Sequence, residues 1–333
     1  MTSMDDHPRV RIATEARSRG RSPLAIGLLV VMAASVAGCL ATTATPATSP
    51  TSSPDPVAAA SPSAAPASPV PPSPAVTPSA IPSSPPLGGP PPRCPGTDRT
   101  PGAASGPRYT GSSNNWSGYV SAVKKTGVTC VEASWVEPDV TCPKTGHQAV
   151  AIWIGIDGFS SKLIGIPETE RLIQIGTQVD CNAGRKTHMA WREILPDEPH
   201  EVPIAGVIRA GDLISARILF ANGRFEMRIH DKDTEGSFTI TFAAPNTPRK
   251  TAEWIVEAPA TNCPGSCTPV ALPKFTPVKF TNAHATIAGQ RSSINDDAWS
   301  NVRLRMTGGG IVRAVTSSLT IGGTVFTVSF RHS

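Results

Sequence analysis

At 333 residues the chain has room for one large or two small domains, and a net charge of +5 with no basic stripe gives no support for a nucleic-acid partner. Part of that charge is local. Five arginines and only Asp5, Asp6 and Glu15 fall within the first 39 residues, so the rest of the chain is close to neutral.

Residues 1–38 read as an export signal: Arg9, Arg11, Arg17, Arg19 and Arg21 precede an apolar run over 24–37, which small residues close. Val36-Ala37-Gly38-Cys39 resembles a bacterial lipobox, with Val where Leu is usual, and this implies cleavage before Cys39 and a diacylglycerol on its sulfur. Cleavage after Ala37 with release, or an uncleaved anchor, are the competing readings, since the apolar stretch is barely long enough to span a bilayer. The expectation is an exported protein, either a cell-surface lipoprotein held to the membrane through Cys39 or a secreted one.

Residues 41–92 are almost entirely Ala, Ser, Thr, Pro and Val, hold 17 of the 35 prolines and carry Asp55 as their one charge. Such a composition cannot bury enough apolar surface to fold and favours extended polyproline II. Residues 39–107 are accordingly read as a disordered linker and 108–333 as the folded domain. Beyond Cys39 there are six cysteines, an even number that in an exported domain suggests three disulfides among 15 possible pairings. The pairing expected from proximity in sequence is Cys263–Cys267 and Cys130–Cys142, which leaves Cys94 with Cys181. Zinc is disfavoured, because CxxC and HExxH spacings are absent.

From residue 109 onward the pattern is short β-favouring runs and turns, with no helical stripe, which argues for an all-β, antiparallel two-sheet sandwich. Asn222-Gly223 supplies the positive φ angles of a type I′ hairpin turn. Side chains alternate along a strand, so the runs can be sorted by face. Over 148–156, Ile152, Ile154 and Ile156 face a core while Trp153, Gly155 and Asp157 look the other way. Over 171–177, Ile173 and Ile175 oppose Gln174 and Gly176. Over 187–195, Met189, Trp191, Glu193 and Leu195 share a face. Over 253–257, Glu253, Ile255 and Glu257 oppose Trp254 and Val256. A wet edge strand would account for the last of these alone. Three strands that each set Trp or Gly beside an amide or acid instead describe a substrate groove.

The usual nucleophiles are missing. There is no Gly-x-Ser-x-Gly, no Asp-Thr-Gly or Asp-Ser-Gly, and the histidines show no pattern. What remains are Glu and Gln on a Trp-lined face.

Seven motifs in order carry a resemblance: Asn115-Trp-Ser-Gly118, Ala133-Ser-Trp-Val-Glu-Pro138, Trp153-Ile-Gly-Ile-Asp-Gly158, Leu172-Ile-Gln-Ile-Gly176, Ala190-Trp-Arg-Glu193, Ala252-Glu-Trp-Ile-Val-Glu257 and Phe280-Thr-Asn-Ala283. The stretch they span resembles the glutamic peptidases called eqolisins, peptidase family G1. The resemblance implies a lectin-like sandwich of two antiparallel sheets with the active site on one sheet face. It implies Glu257 as general base and then acid, Gln174 as oxyanion donor, and Trp153, Asp157, Trp191 and Glu193 in the groove lining or supporting it, with Glu253 as a supporting or solvated acid. It also implies a polypeptide substrate, no cofactor or metal, acidic working pH and insensitivity to pepstatin; a monomer is expected. Two positions depart from the fungal pattern: Met189 stands for an Asp, and Leu195 for a Tyr. A carbohydrate- or peptide-binding lectin-like sandwich, and a peptidase-like domain that has lost activity, remain as alternatives.

Overall fold

The computed structural model describes residues 11–14, 89–100, 108–125, 127–197, 199–261, 268–320 and 322–333, and among these there is no helix. Cys39 and the linker up to residue 88 lie outside the described residues, as do Cys263 and Cys267. The main strands are β1 (Tyr109–Ser113), β2 (Trp116–Ala122), β3 (Val128–Val136), β4 (His147–Ile156), β5 (Ile173–Asn182), β6 (Arg185–Ile194), β7 (Leu213–Ala221), β8 (Arg224–Asp231), β9 (Gly236–Phe242), β10 (Thr251–Glu257), β11 (Val278–Ile287), β12 (Ser300–Gly308), β13 (Ile311–Thr316) and β14 (Phe326–Phe330).

The pairings arrange these strands in two layers. The front sheet runs β6-β5-β4-β10-β2-β12-β1, antiparallel except for the parallel β12–β1 pair. The back sheet runs β9-β8-β7-β3-β11-β14-β13, and the β12–β13 pairing joins the two at one edge. The expected sandwich is therefore present. Asn222 (φ 51°) and Gly223 (φ 74°) turn β7 into β8 as a type I′ turn requires.

Alternation places the core. Ile152, Ile154, Ile156, Ile173, Ile175, Trp254 and Val256 of the front sheet meet Val131, Trp135, Ile214, Ile218 and Met227 of the back sheet in one fully buried cluster. Burying each of these large side chains is worth roughly 1.5–3 kcal/mol, which fixes register: a one-residue slip of β4 would bring its three isoleucines to the outer face.

The outer face of the front sheet carries a second apolar cluster. Trp116, Trp153, Trp191 and Ile255 meet Phe159, Ile164, Ile166 and Leu172 of the β4–β5 connection, which folds back onto the sheet. The outer face of the back sheet is crossed by residues 89–99, within the stretch read as linker. Their backbone is held by Arg228 Nη2 to Gly89 O (2.7 Å), Arg217 Nη1 to Pro92 O (2.9 Å), and Cys94 N–H to Glu132 Oε2 (2.5 Å). Cys94 is bonded to Cys130, and Cys142 to Cys181. This corrects the expected Cys130–Cys142 and Cys94–Cys181 pairs. Cys130 points out of the back sheet under the crossing segment, whereas Cys181 packs in the core, so their neighbours are set by sheet face and not by closeness in sequence.

Candidate active site

Strand β10 is central, not an edge: β2 pairs with one side of it and β4 with the other. That excludes the wet-edge reading of Thr251–Glu257. Cross-strand register then aligns three rows on the outer face. Glu253 lies beside Gly155, Gln174 and Glu193; Ile255 beside Trp153, Gly176 and Trp191; Glu257 beside Ala151, Gln178 and Met189. Within the strands the faces read from alternation are the faces observed; Asp157, one residue past the end of β4, departs from them.

The glycines let the indole lie down. A Cβ on Gly155 would stand 2.7 Å from Trp153 Cζ3, and one on Gly176 2.0 Å from Ile152 O and 2.6 Å from Trp153 Cβ, so Gly155 accepts no side chain while Trp153 keeps its pose and Gly176 accepts none against the β4 backbone. Trp153 in turn packs edge-on against Trp116, ring centroids 5.0 Å apart and planes at 78°. The consequence is directional: Trp153 Nε1–H donates to Glu257 Oε2 at 2.8 Å. Asn115 Nδ2–H donates to Glu257 Oε1, also at 2.8 Å, and the Trp116 indole N–H faces the same carboxylate without completing a hydrogen bond. Burial, followed by the charge of Glu193, pushes Glu257 up to about 8, and these donors pull the other way.

Gln174 is almost fully buried and donates its amide N–H to Glu193, its cross-strand partner, while its Oε1 is unpartnered. Glu193 thus touches both halves of the site, Gln174 through a hydrogen bond and Glu257 through its charge. Trp191 is buried, and its Nε1–H has no hydrogen-bond partner. Met189 and Leu195 are half-buried, Met189 opposite Gln178 and Leu195 against the outer apolar cluster.

Two acids are placed otherwise than in the groove. Asp157, at φ 67°, accepts Arg249 N–H at 2.6 Å and Lys250 N–H at 2.7 Å, which anchors the entry to β10; burial raises its pKa against those bonds. Glu253 is fully buried, with no hydrogen-bond partner for either oxygen, and burial pushes its pKa well above the carboxylate range. Its solvated alternative is excluded. Asn115 was missed as a site residue, although its motif was visible, because its contact with Glu257 depends on the β2–β10 register. Among the described residues no cluster of His, Cys, Asp or Glu could hold a metal.

A sequence profile described as the Peptidase A4 family matches residues 114–330. The chain belongs to the Peptidase A4 family. This is the glutamic, eqolisin kind, so the protein is a glutamic endopeptidase, a hydrolase of peptide bonds. Among relatives of this Peptidase A4 member, Aspergillopepsin-2 of Aspergillus niger is 25% identical over 228 residues, which cover 62% of this chain and 76% of that protein. The fold is shared with the crystal structure of scytalido-glutamic peptidase with a transition state analog inhibitor, at TM-score 0.54 and 20% identity over 66% of this chain and 98% of that one. It is shared also with SCP-B, a member of the Eqolisin family in a complex with the tripeptide Ala-Ile-His, at TM-score 0.51 and 21% identity over the same shares.

Proposed function

We propose that this peptidase cleaves polypeptides with Glu257 as general base and acid and Gln174 as oxyanion donor, working as an exported monomer anchored through Cys39. The observation that carries the reading is the setting of Glu257: a half-buried carboxyl fixed by Asn115 and Trp153, on the same sheet face as an amide held by Glu193.

The steps follow from those positions. Ionised Glu257 takes a proton from a water as that water's oxygen attacks the scissile carbonyl carbon. The carbonyl oxygen becomes an oxyanion. One Nε2–H of Gln174 is committed to Glu193 and the other is available to that oxyanion, a contribution of about 3–4 kcal/mol for a comparable side-chain donor. Glu257 then returns its proton to the leaving nitrogen, and the C–N bond breaks. A carboxyl pushed up to about 8 suits the second half of this cycle, since it holds its proton until the amine leaves.

It also moves the working range. The ionised fraction of Glu257 falls about tenfold for each pH unit below its pKa, so the free enzyme loses its base as the medium becomes acidic. This raised pKa pulls against the acidic working pH implied by the resemblance, and the pH profile of cleavage decides between the two. Export rests on residues 1–38, and two disulfides fit an oxidising compartment.

The sugar-platform alternative needs exposed indole faces. Trp153 is 0%, Trp116 4% and Trp191 7% exposed, which leaves none. Casein cleavage by the wild type, Glu257→Gln and Gln174→Ala, followed from acid to mildly alkaline pH with pepstatin present, tests the assignment. Near-wild-type activity in Glu257→Gln would remove it.

A further inference from the structure

Phe280-Thr-Asn-Ala283 is one of the motifs that mark the chain, yet it lies on β11 of the back sheet, away from Glu257. The strand is irregular there: the β3–β11 register shifts between Thr281 and His284, and Asn282 takes the left-handed conformation at φ 53°. Backbone of this kind, in a residue other than glycine, is costly enough to persist only where its surroundings hold it, and it concentrates at binding sites.

The bulge opens onto a hollow of about 240 Å³ on the outer face of the back sheet. Asn282, Ser134, Ser215 and Lys232 line it together with Arg93, Arg291 and Glu132. One water needs only about 10–15 Å³ of such space, so the hollow is larger than a lone ion needs and takes a small organic acid.

Two observations indicate what it would hold. The hydroxyl of Ser215 is buried, the residue 5% exposed, and has no hydrogen-bond partner, a cost of the order of 1–3 kcal/mol unless a ligand meets it. The charges, moreover, do not cancel. Arg291 is bound to Glu132 through both Nε (3.0 Å) and Nη2, and Arg93 to Asp98. Glu132 is further occupied by the Cys94 N–H. Lys232, flanked in the chain by Asp231 and Asp233, makes no ion pair among the described residues, so its ammonium is committed to no carboxylate and lines the same hollow as the unpaired hydroxyl.

We propose that this hollow is a second binding site, for a small molecule carrying a single oxyanion, with Lys232 supplying the charge and Ser215 a hydrogen bond. Carboxylate and phosphate share that chemistry. The site lies on the face opposite the groove, so occupancy need not touch the reacting residues, and the inference stands independently of the roles given to Glu257 and Gln174.

Titration calorimetry of the full chain at neutral pH separates the sources, with N-acetylglycine, its neutral amide and inorganic phosphate as probes. Saturable binding of N-acetylglycine with none of the amide marks a carboxylate ligand; binding of phosphate alone marks a phosphate ligand. In either case Lys232→Gln and Ser215→Ala should each weaken binding about tenfold and leave casein cleavage unchanged. Lys232 is half-exposed, so its replacement tests the site even if Ser215→Ala disturbs folding. The proposal is overturned if none of the probes binds, if the amide binds as well as the acid, or if Lys232→Gln binds like the wild type.

Discussion

Gln174 and Glu193 face each other across the β5–β6 ladder, and the amide of the first donates to the carboxylate of the second. The bond orients the oxyanion donor, and the charge at its far end is one of the two causes that raise Glu257. Orientation and charge can be separated by substitution. Glu193→Gln keeps an acceptor oxygen for Gln174 but removes the charge, so the rising limb of kcat/KM against pH should move to lower pH while kcat changes less than about tenfold. Glu193→Ala removes both and should lower kcat by about 10–100-fold, the loss expected when a preorganised donor becomes free to turn. Coincident pH limbs in the wild type and Glu193→Gln would contradict the charge argument.

The opposite shift is expected from the donors on Glu257. Trp153 and Asn115 each hydrogen-bond the carboxyl at 2.8 Å, and both bonds favour the ionised form. Trp153→Phe and Asn115→Ala should therefore move the limb to higher pH and, at a fixed pH below it, lower kcat/KM by about tenfold or more, as for a lost hydrogen bond to a charged group. KM for a peptide that reaches Glu257 without touching Asn115 should stay within about twofold in Asn115→Ala.

These predictions rest on features the sequence displays unevenly. Alternation at Ile152/Trp153, Ile173/Gln174 and Met189/Ala190 identified the correct outer face, because burying one face of a strand leaves a period of two. Strand ends were harder. The run read as ending at Thr177 continues to Asn182, since Val179 and Cys181 extend the buried side. What alternation cannot give is register between strands distant in sequence, and that is what brings Asn115 to Glu257 and Glu193 to Gln174. It is also what buries Glu253, beneath the connection that carries Phe159. The crossing segment 89–99 was hidden for another reason: its proline content reads as linker, and only the arginines of β7 and β8 and the Cys94–Cys130 bond tie it down.

That segment should contribute to stability. Cys94–Cys130 closes a loop with a sequence separation of 36, for which the chain-entropy estimate is about 3–4 kcal/mol. Opening it also frees the Cys94 N–H from the Glu132 carboxylate. The double variant Cys94→Ser/Cys130→Ser should melt well below the wild type, as should a chain beginning at Arg108, and reductant should lower the wild-type midpoint by more than that of the variant, which keeps Cys142–Cys181. Equal midpoints would show that the crossing segment is not part of the folded unit.

Glu253 and Glu257 together set how stability depends on pH. Both have folded-state pKa values raised above the unfolded value, Glu257 to about 8 and Glu253 well upward. Between those limits the folded chain binds more protons than the unfolded one, so stability falls as pH rises. The contribution is complete below the ordinary glutamate range near pH 4, and it is lost progressively toward pH 8 for Glu257. Each group can add a slope of up to about 1.4 kcal/mol per pH unit within its window. Neither Glu253 oxygen completes a hydrogen bond, so its proton is held by burial, with a smaller push from the charge of Asp157, while the nearby Thr251 hydroxyl and Phe159 N–H pull the other way. Glu253→Gln keeps the shape and removes the titration. Urea unfolding at several pH values from mildly acidic to mildly alkaline should show the wild type weakening steadily and Glu253→Gln weakening with a shallower slope, while a chain with both residues replaced by Gln should be flattest of the three. A wild type that gains stability over that range would show that Glu253 is ionised in the folded protein.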